Sequence, residues 1–379
     1  MGLLLILSAA ADAAVAWFAL IPRRRAVGNA TVCVNAISYP TAPLTLRRMV
    51  TAALVTTTFV AVKCFVLAAA GLEFFGLIHT LYLDCVVVAP LMGLSVLFRA
   101  RQATLAARIA AVLVLTMIPV GVHASFIEPF RLQTERADIP LAMQRGGREP
   151  IVIGVLSDIQ TDRVSQYERG AIDRMMASRP DILLLPGDLF EGTDAELERE
   201  LPAIRELVNR LRAPGGVYFV PGNCESPEQA ADILRETGVR LLVNQIVRVN
   251  VRDRAVTIAG VELKPTPAAK RTIAELESAP GHDDVRILVS HLPDHVYSMS
   301  ANSRIDLLVA GHTHGGQVQL PWFGPPIIFS TVPRHVGAGG LHHLDGRRIY
   351  VSRGLGVERG PAPRIRFLCP PEITHLTLK

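Results

Sequence analysis

The chain has 379 residues, half of them hydrophobic, with a positive mean hydropathy of +0.32 and a formal net charge of +5. That length exceeds one ordinary domain of about 150 residues, and the apolar excess is unusual for a purely soluble enzyme, so part of the chain is expected to sit in lipid. The positive charge comes from arginines spread along the chain and aromatic residues make up only 6%, which excludes the clustered basic and aromatic signature of a nucleic-acid binder.

Four apolar stretches, 3–21, 50–72, 77–98 and 109–127, are each long enough to cross about 30 Å of hydrocarbon. The first lacks the basic start of a secretory signal and runs into Arg23, Arg24 and Arg25, so it reads as a span. Those arginines, with Arg47 and Arg48, lie between spans one and two, and Arg99, Arg101 and Arg108 lie between three and four. Basic loops stay cytoplasmic, so everything after span four is expected outside the cytoplasm. Asp12, Lys63, His79 and Asp84 fall inside the spans, where each charge costs about 2.5 to 3.5 kcal/mol at the bilayer centre, so they should face other helices. Lys63 and Asp84 sit at depths that allow an ion pair. Residues 1–128 are thus expected to be a membrane domain of about four helices. Residues 129–149, polar and without periodicity, read as a linker.

From residue 150 onward short apolar runs each end in a metal-binding type of side chain. IVIGVLS leads into Asp158, ILLLPG into Asp188, VYFVPG into Asn223, RILVS into His291, and LLVAG into His312 and His314. Such runs are what strands buried on both faces look like. Helices are expected at 166–178, 194–212 and 227–237, a hairpin turning at 252–254, and further strands at 348–352 and 373–378. This is an α/β layout with its site at the carboxyl ends of the strands. Carboxylate and amide oxygens with neutral imidazoles suit divalent ions engaged in phosphoryl chemistry. The glycines before Asp188, Asn223 and His312 allow sharp turns and close backbone approach. The five cysteines show no metal or disulfide spacing, and Cys224 and Cys369 read as free thiols or a pair.

Asp158, Gly187-Asp188, Gly222-Asn223, His291 and Gly311-His312-Thr313-His314, in that order, resemble the calcineurin-like metallophosphoesterases. SHLPDH, GHTHGGQV, SRGLG and RIRFLCPPEITHLTL are similar to their membrane-associated bacterial branch. The resemblance covers about 151–379 and implies two packed β-sheets flanked by helices. It implies one divalent ion on Asp158, Asp188 and His314, a second on Asn223, His291 and His312, with Asp188 bridging, and in-line attack by a metal-bridging hydroxide. The ions would be drawn from Mn, Fe, Zn or Mg. Catalytic roles fall to Asp188, His291 and Cys224.

Two positions depart from the pattern. The family's Asp-x-His is Asp158-Ile159-Gln160, which replaces a ligand imidazole with an amide oxygen and favours harder ions. Its Gly-Asn-His-Glu is Gly222-Asn223-Cys224-Glu225, which replaces a phosphate-contacting acid with a thiol. Asp294 is open to two readings, a partner orienting His291 or a loop cap, and Arg353, Arg359, Arg364 and Arg366 are either phosphate or lipid-headgroup contacts or solvated. The function expected is a membrane-anchored phosphohydrolase acting on a phosphorylated small molecule or lipid. A catalytically impaired metal-binding sensor or scaffold is the alternative.

Overall fold

The computed structural model describes residues 46–98 and 105–379 apart from 146, 148 and 282; at 46–57, 95–96, 106–107 and 144 it describes the backbone alone. The first expected span, 3–21, lies outside these residues. The chain divides into one unit that ends at His123 and takes in Pro361–Pro363, and a second of Ala124–Gly360 and Arg364–Lys379.

In the first unit α1 (Leu46–Ala69), α2 (Phe74–Leu83), α3 (Ala89–Phe98), α4 (Leu105–Leu115) and α5 (Met117–Val122) follow the apolar stretches. Two helical stretches, Phe74–Leu94 and Arg108–Phe130, are long and apolar enough to cross a membrane. A π-helical turn, Asp84–Val88, joins α2 to α3. Lys63 Nζ donates to both carboxylate oxygens of Asp84, at 2.7 and 2.6 Å, which is the pair that burying either charge alone would forbid.

The second unit holds two six-stranded mixed sheets flanked by helices. One runs β1 (Gln133–Ile139), β12 (Glu372–Leu378), β2 (Ile151–Val155), β3 (Ile182–Pro186), β4 (Val217–Val220), β5 (Val239–Leu241). The other runs β10 (Gly340–Leu344), β11 (Arg347–Val351), β9 (Leu307–Ala310), β8 (Val285–Val289), β7 (Arg254–Gly260), β6 (Gln245–Val251). The period-two alternation of strands explains three apolar layers. Ile153, Ile182 and Leu184 meet Ile258, Ile287 and Val309 between the sheets. Leu183, Leu185 and Phe219 point the other way, against Ile172 and Met175 of α6 (Gln166–Ala177), Leu207 of α7 (Asp194–Asn209) and Ile233 of α8 (Pro227–Ile233). Ala259, Leu288 and Leu308 pack on Ile273 and Leu276 of α9 (Pro267–Ser278). Both faces of each central strand are therefore buried, as the continuous apolar runs require.

Helix starts follow local sequence. Ser165 with Glu168, Thr193 with Glu196 and Ser226 with Gln229 form capping boxes at α6, α7 and α8. One expectation needs correction: 129–149 is not simply a linker, because Gln133–Ile139 pairs in parallel with β12 along its whole length. It is an edge strand, and its polar side chains are what a solvated sheet edge tolerates.

Candidate metal centre

Five strand ends converge, as the sequence order suggested. β2 delivers Asp158 and Gln160, β3 Asp188, the loop after β4 Asn223 and Cys224, β8 His291, and β9 His312 and His314. Asp158, Asp188 and His291 are buried and offer ligand atoms that all lie within 4.8 Å of one another. Five of the seven candidate ligands, Asp158, Gln160, Asp188, His312 and His314, have left-handed backbone, with φ between 42° and 70°. Each such residue costs about 1 to 3 kcal/mol, and clusters of them are found where a site overrides backbone preference.

The imidazoles are aimed by carbonyls behind them. His291 Nδ1 lies 2.8 Å from the Pro186 carbonyl oxygen and His312 Nε2 lies 3.1 Å from that of Phe329. A carbonyl can only accept, so those nitrogens carry the hydrogens and, in the neutral rings, leave His291 Nε2 and His312 Nδ1 as lone pairs. The two lone-pair atoms lie 3.2 Å apart, and 3.0 and 2.9 Å from Asn223 Oδ1, while His291 Nε2 is 3.3 Å from Asp188 Oδ2. Acceptors converging in this way repel unless a cation or a proton sits among them.

On the Asp158 side, Oδ1 lies 3.7 Å from His314 Nε2 and accepts from the His312 amide at 2.9 Å, while Ser157 Oγ bonds the other oxygen. Gln160 Nε2 donates to Glu191 Oε2 at 2.8 Å, and its Oε1 is buried with no hydrogen-bond partner among the described residues. An orphaned buried carbonyl oxygen is what a ligand to a hard cation looks like before the ion binds. The residues present therefore fit divalent metal.

Electrostatics agree. Burial, reinforced by the charge of Asp188 and opposed by that of His291, pushes Asp158 up to about 6. Burial also works against the Asp188 carboxylate, but the charge and hydrogen bond of His291 and the Cys224 amide, 2.9 Å away, hold it well below the usual carboxylate range. Burial lowers His291 too, yet the facing Asp188 raises it to about 10. A divalent ion that takes His291 Nε2 as a ligand must therefore displace a proton from it. Burial lowers His312 to about 4 and holds His314 well below the usual imidazole value, so both are neutral, the ligating form. Burial and the charges of Asp188 and Glu191 push the Cys224 thiol up, so it stays protonated.

Backbone room is used as the glycines implied. A Cβ on Gly222 would lie 1.9 Å from Asp188 Oδ1, and one on Gly311 2.4 Å from Asp158 Oδ2.

Several readings resolve differently. Asp294 does not touch His291: its carboxylate accepts from Ser330 Oγ at 2.6 Å and Thr331 N at 2.9 Å, so it caps a loop. Arg353 pairs with Glu372 and Glu135, and Arg359 and Arg364 both pair with Asp162, at 2.6 and 2.9 Å. Arg366 is buried and donates to the carbonyls of Arg353, Gly356 and Cys369. Cys224 and Cys369 are free thiols. Glu225 was not singled out as a site residue, although it closes the Gly222–Glu225 motif. It accepts from the amides of Asp188, Leu189 and Gly222 at 2.9, 3.2 and 3.1 Å and so ties two ligand loops together.

Comparison with known proteins agrees with this architecture. Residues 151–316 match the family model of the calcineurin-like phosphoesterases. The chain is 27% identical over 266 residues to the uncharacterized metallophosphoesterase YkuE of Bacillus subtilis, an alignment covering 68% of this chain and 89% of that protein. It is 27% identical over 254 residues to the phosphodiesterase YaeI of Escherichia coli, covering 63% and 86%. A metallophosphoesterase of Aquifex aeolicus is 29% identical over 266 residues, covering 67% and 95%. Among solved structures, the NAD nucleotidase of Haemophilus influenzae aligns at TM-score 0.39 and 14% identity, over 57% of this chain and 46% of that one. A dimetal phosphatase from Danio rerio aligns at 0.34 and 12%, over 56% and 89%. With the converging ligand set and the matched residues together, the chain carries a calcineurin-like metallophosphoesterase domain, a metal-dependent hydrolase of phosphoesters.

Proposed function

We propose that this domain is a dinuclear phosphoesterase, in which Asp158, Asp188, His314 and Gln160 Oε1 would hold one ion and Asp188, Asn223, His291 and His312 the other. The observation that carries the reading is the convergence of His291 Nε2 and His312 Nδ1, both oriented as lone pairs, on Asn223 Oδ1 beside Asp188. When bound, two divalent ions would activate water as the nucleophile and neutralise charge on the phosphoryl oxygens. The protein's part is to hold the ligands. Pro186 and Phe329 fix the tautomers of His291 and His312, Glu225 braces the Asp188 loop, and Ser157 orients Asp158. Cys224 presents a protonated thiol 3.5 Å from Gln160 Nε2, which supports it as the group that would meet a leaving oxygen. Its raised pKa makes it a reluctant acid, so Cys224→His should speed poor leaving groups most.

The phosphodiesterase name of YaeI makes a diester the first substrate to try. Full-length protein should hydrolyse an aryl phosphodiester with added Mn²⁺ and stop on chelation. Bound metal without turnover on mono- or diesters would move the reading to a sensor or scaffold.

The arginine distribution further supports a multi-pass protein with its phosphoesterase domain outside the cytoplasm. Alkaline phosphatase fused after Lys379 should then be active. An inactive fusion paired with a fluorescent cytoplasmic reporter would reverse the orientation.

A further inference from the structure

Between the candidate metal ligands and β10 the chain spends an apolar turn on water. Leu320 and Gly324 bond each other's backbones, Leu320 N to Gly324 O at 3.0 Å and Gly324 N to Leu320 O at 2.9 Å, and Phe323 N bonds Leu320 O at 3.2 Å. The tip is therefore a closed, preorganised turn. On it Trp322 is fully exposed, and Phe323 and Leu320 are 53% and 43% exposed. Trp322 also has left-handed backbone, φ 62°, a conformation that bulky residues rarely adopt. Trp322, strained and fully exposed, buries no surface of its own within the domain, which leaves the indole open to a partner outside it.

The chemistry beside the tip says what that partner is. The Arg334 guanidinium stands 4.0 Å over the Phe323 ring. A cleft of about 630 Å³ runs between the turn and Arg334 and His335, and no carboxylate is among its lining residues. Exposed tryptophan and phenylalanine beside a cation match the layered chemistry of a bilayer surface, where indole rings settle at headgroup level and guanidinium meets anionic phosphate. The same chain carries two helices long and apolar enough to cross a membrane. The return limb of the loop is fastened to the site: Phe329 O holds His312 Nε2, and Ser330 and Thr331 bond Asp294.

We propose that the Leu320–Gly324 turn docks on the surface of an anionic phospholipid bilayer, with Leu320, Trp322 and Phe323 entering the interfacial layer and Arg334 meeting the headgroups. Resting on the phosphoesterase reading above, it follows that the substrate is a phosphoester carried in that bilayer.

The chain has two tryptophans, so a Trp17→Phe full-length protein leaves Trp322 as its sole indole. Reconstituted in phosphatidylcholine–phosphatidylglycerol vesicles, it should emit at short wavelength and be quenched by lipids brominated near the headgroup end of the acyl chain. Arg334→Gln should weaken that quenching when phosphatidylglycerol is present and leave it unchanged in phosphatidylcholine alone. Water-like emission without quenching overturns the proposal. Short-wavelength emission without quenching overturns it too, since a protein surface then covers the turn. An Arg334→Gln protein with unaltered quenching in anionic vesicles removes the charge contact on which the choice of bilayer rests. Quenching needs no turnover, so it stands apart from any failure of the phosphoesterase reading. In the active enzyme, Phe323→Ser should lower kcat/KM on a vesicle-borne phosphoester by about tenfold, the factor one buried aromatic ring supplies, and leave a soluble aryl phosphodiester unchanged. An equal loss on both substrates would overturn the substrate assignment.

Discussion

Gly222→Ala puts one methyl group into the most crowded part of the metal centre. Gly222 does not have left-handed backbone, so alanine is conformationally permitted and the effect is steric. The new carbon would lie 1.9 Å from Asp188 Oδ1 and 2.7 Å from its Cγ and amide nitrogen, whereas ordinary contact begins at 3.4 Å, so the carboxylate must retreat by about 1.5 Å. It has little freedom to do so. Oδ1 accepts from the Cys224 amide, Oδ2 faces His291 Nε2, and the Asp188 amide is tied to Glu225. Overpacking of this kind costs about 1 to 3 kcal/mol of stability. A displacement near 1 Å at the reacting centre costs about 10²-fold in rate. The assay is kcat/KM on an aryl phosphodiester at saturating Mn²⁺, with thermal unfolding to show that the variant is folded. A folded variant with unchanged kcat/KM would refute the placement of Asp188 at the centre of the site.

Gly170→Ala should do the opposite: a methyl group at this exposed position inside α6 would meet nothing within 4 Å, and relief of glycine's helix penalty should add about 0.5 to 1 kcal/mol in denaturant unfolding. Destabilisation would contradict the helix assignment. Hydrogen bonds from Arg248, at 2.6 and 2.9 Å, hold Asp284 below the usual carboxylate range. Its stabilising contribution is therefore complete above its unfolded pKa of about 3.9 and is lost as pH falls through the depressed folded value. Wild type should lose stability below about pH 4 more steeply than Asp284→Asn, and parallel curves would refute the pairing. Gln160→His should tighten metal binding at the Asp158 side by about 10- to 100-fold in a metal titration, and an unchanged affinity would place residue 160 outside the ligand shell.

The candidate ligands are legible because each stands directly after a run of apolar residues buried on both faces, a pattern set by local chain chemistry. The starts of α6, α7 and α8 were legible for the same reason. β1 was not, because an edge strand beside β12 needs no alternation of apolar residues: Glu135 there serves Arg353. Asp294 and the arginines were ambiguous since any one of them suits either a phosphate or a neighbouring carboxylate, and only tertiary contacts choose. Arg359 and Arg364 found Asp162, about 200 residues upstream, and Asp294 found the loop after Phe329. The left-handed φ values at Asp158, Gln160, Asp188, His312 and His314 have no sequence signal at all, since nothing but the packed sheets imposes them. α9 passed unremarked although Thr266 caps it and Pro267 opens it.

The central claim, two ions sharing Asp188, is tested most directly by elemental analysis of the Mn²⁺-loaded full-length protein and its Asp188→Ala variant after removal of free metal. Two equivalents per chain are expected in the wild type and loss of both in Asp188→Ala, with His291→Ala losing mainly one. Two equivalents retained by a folded Asp188→Ala protein would contradict it.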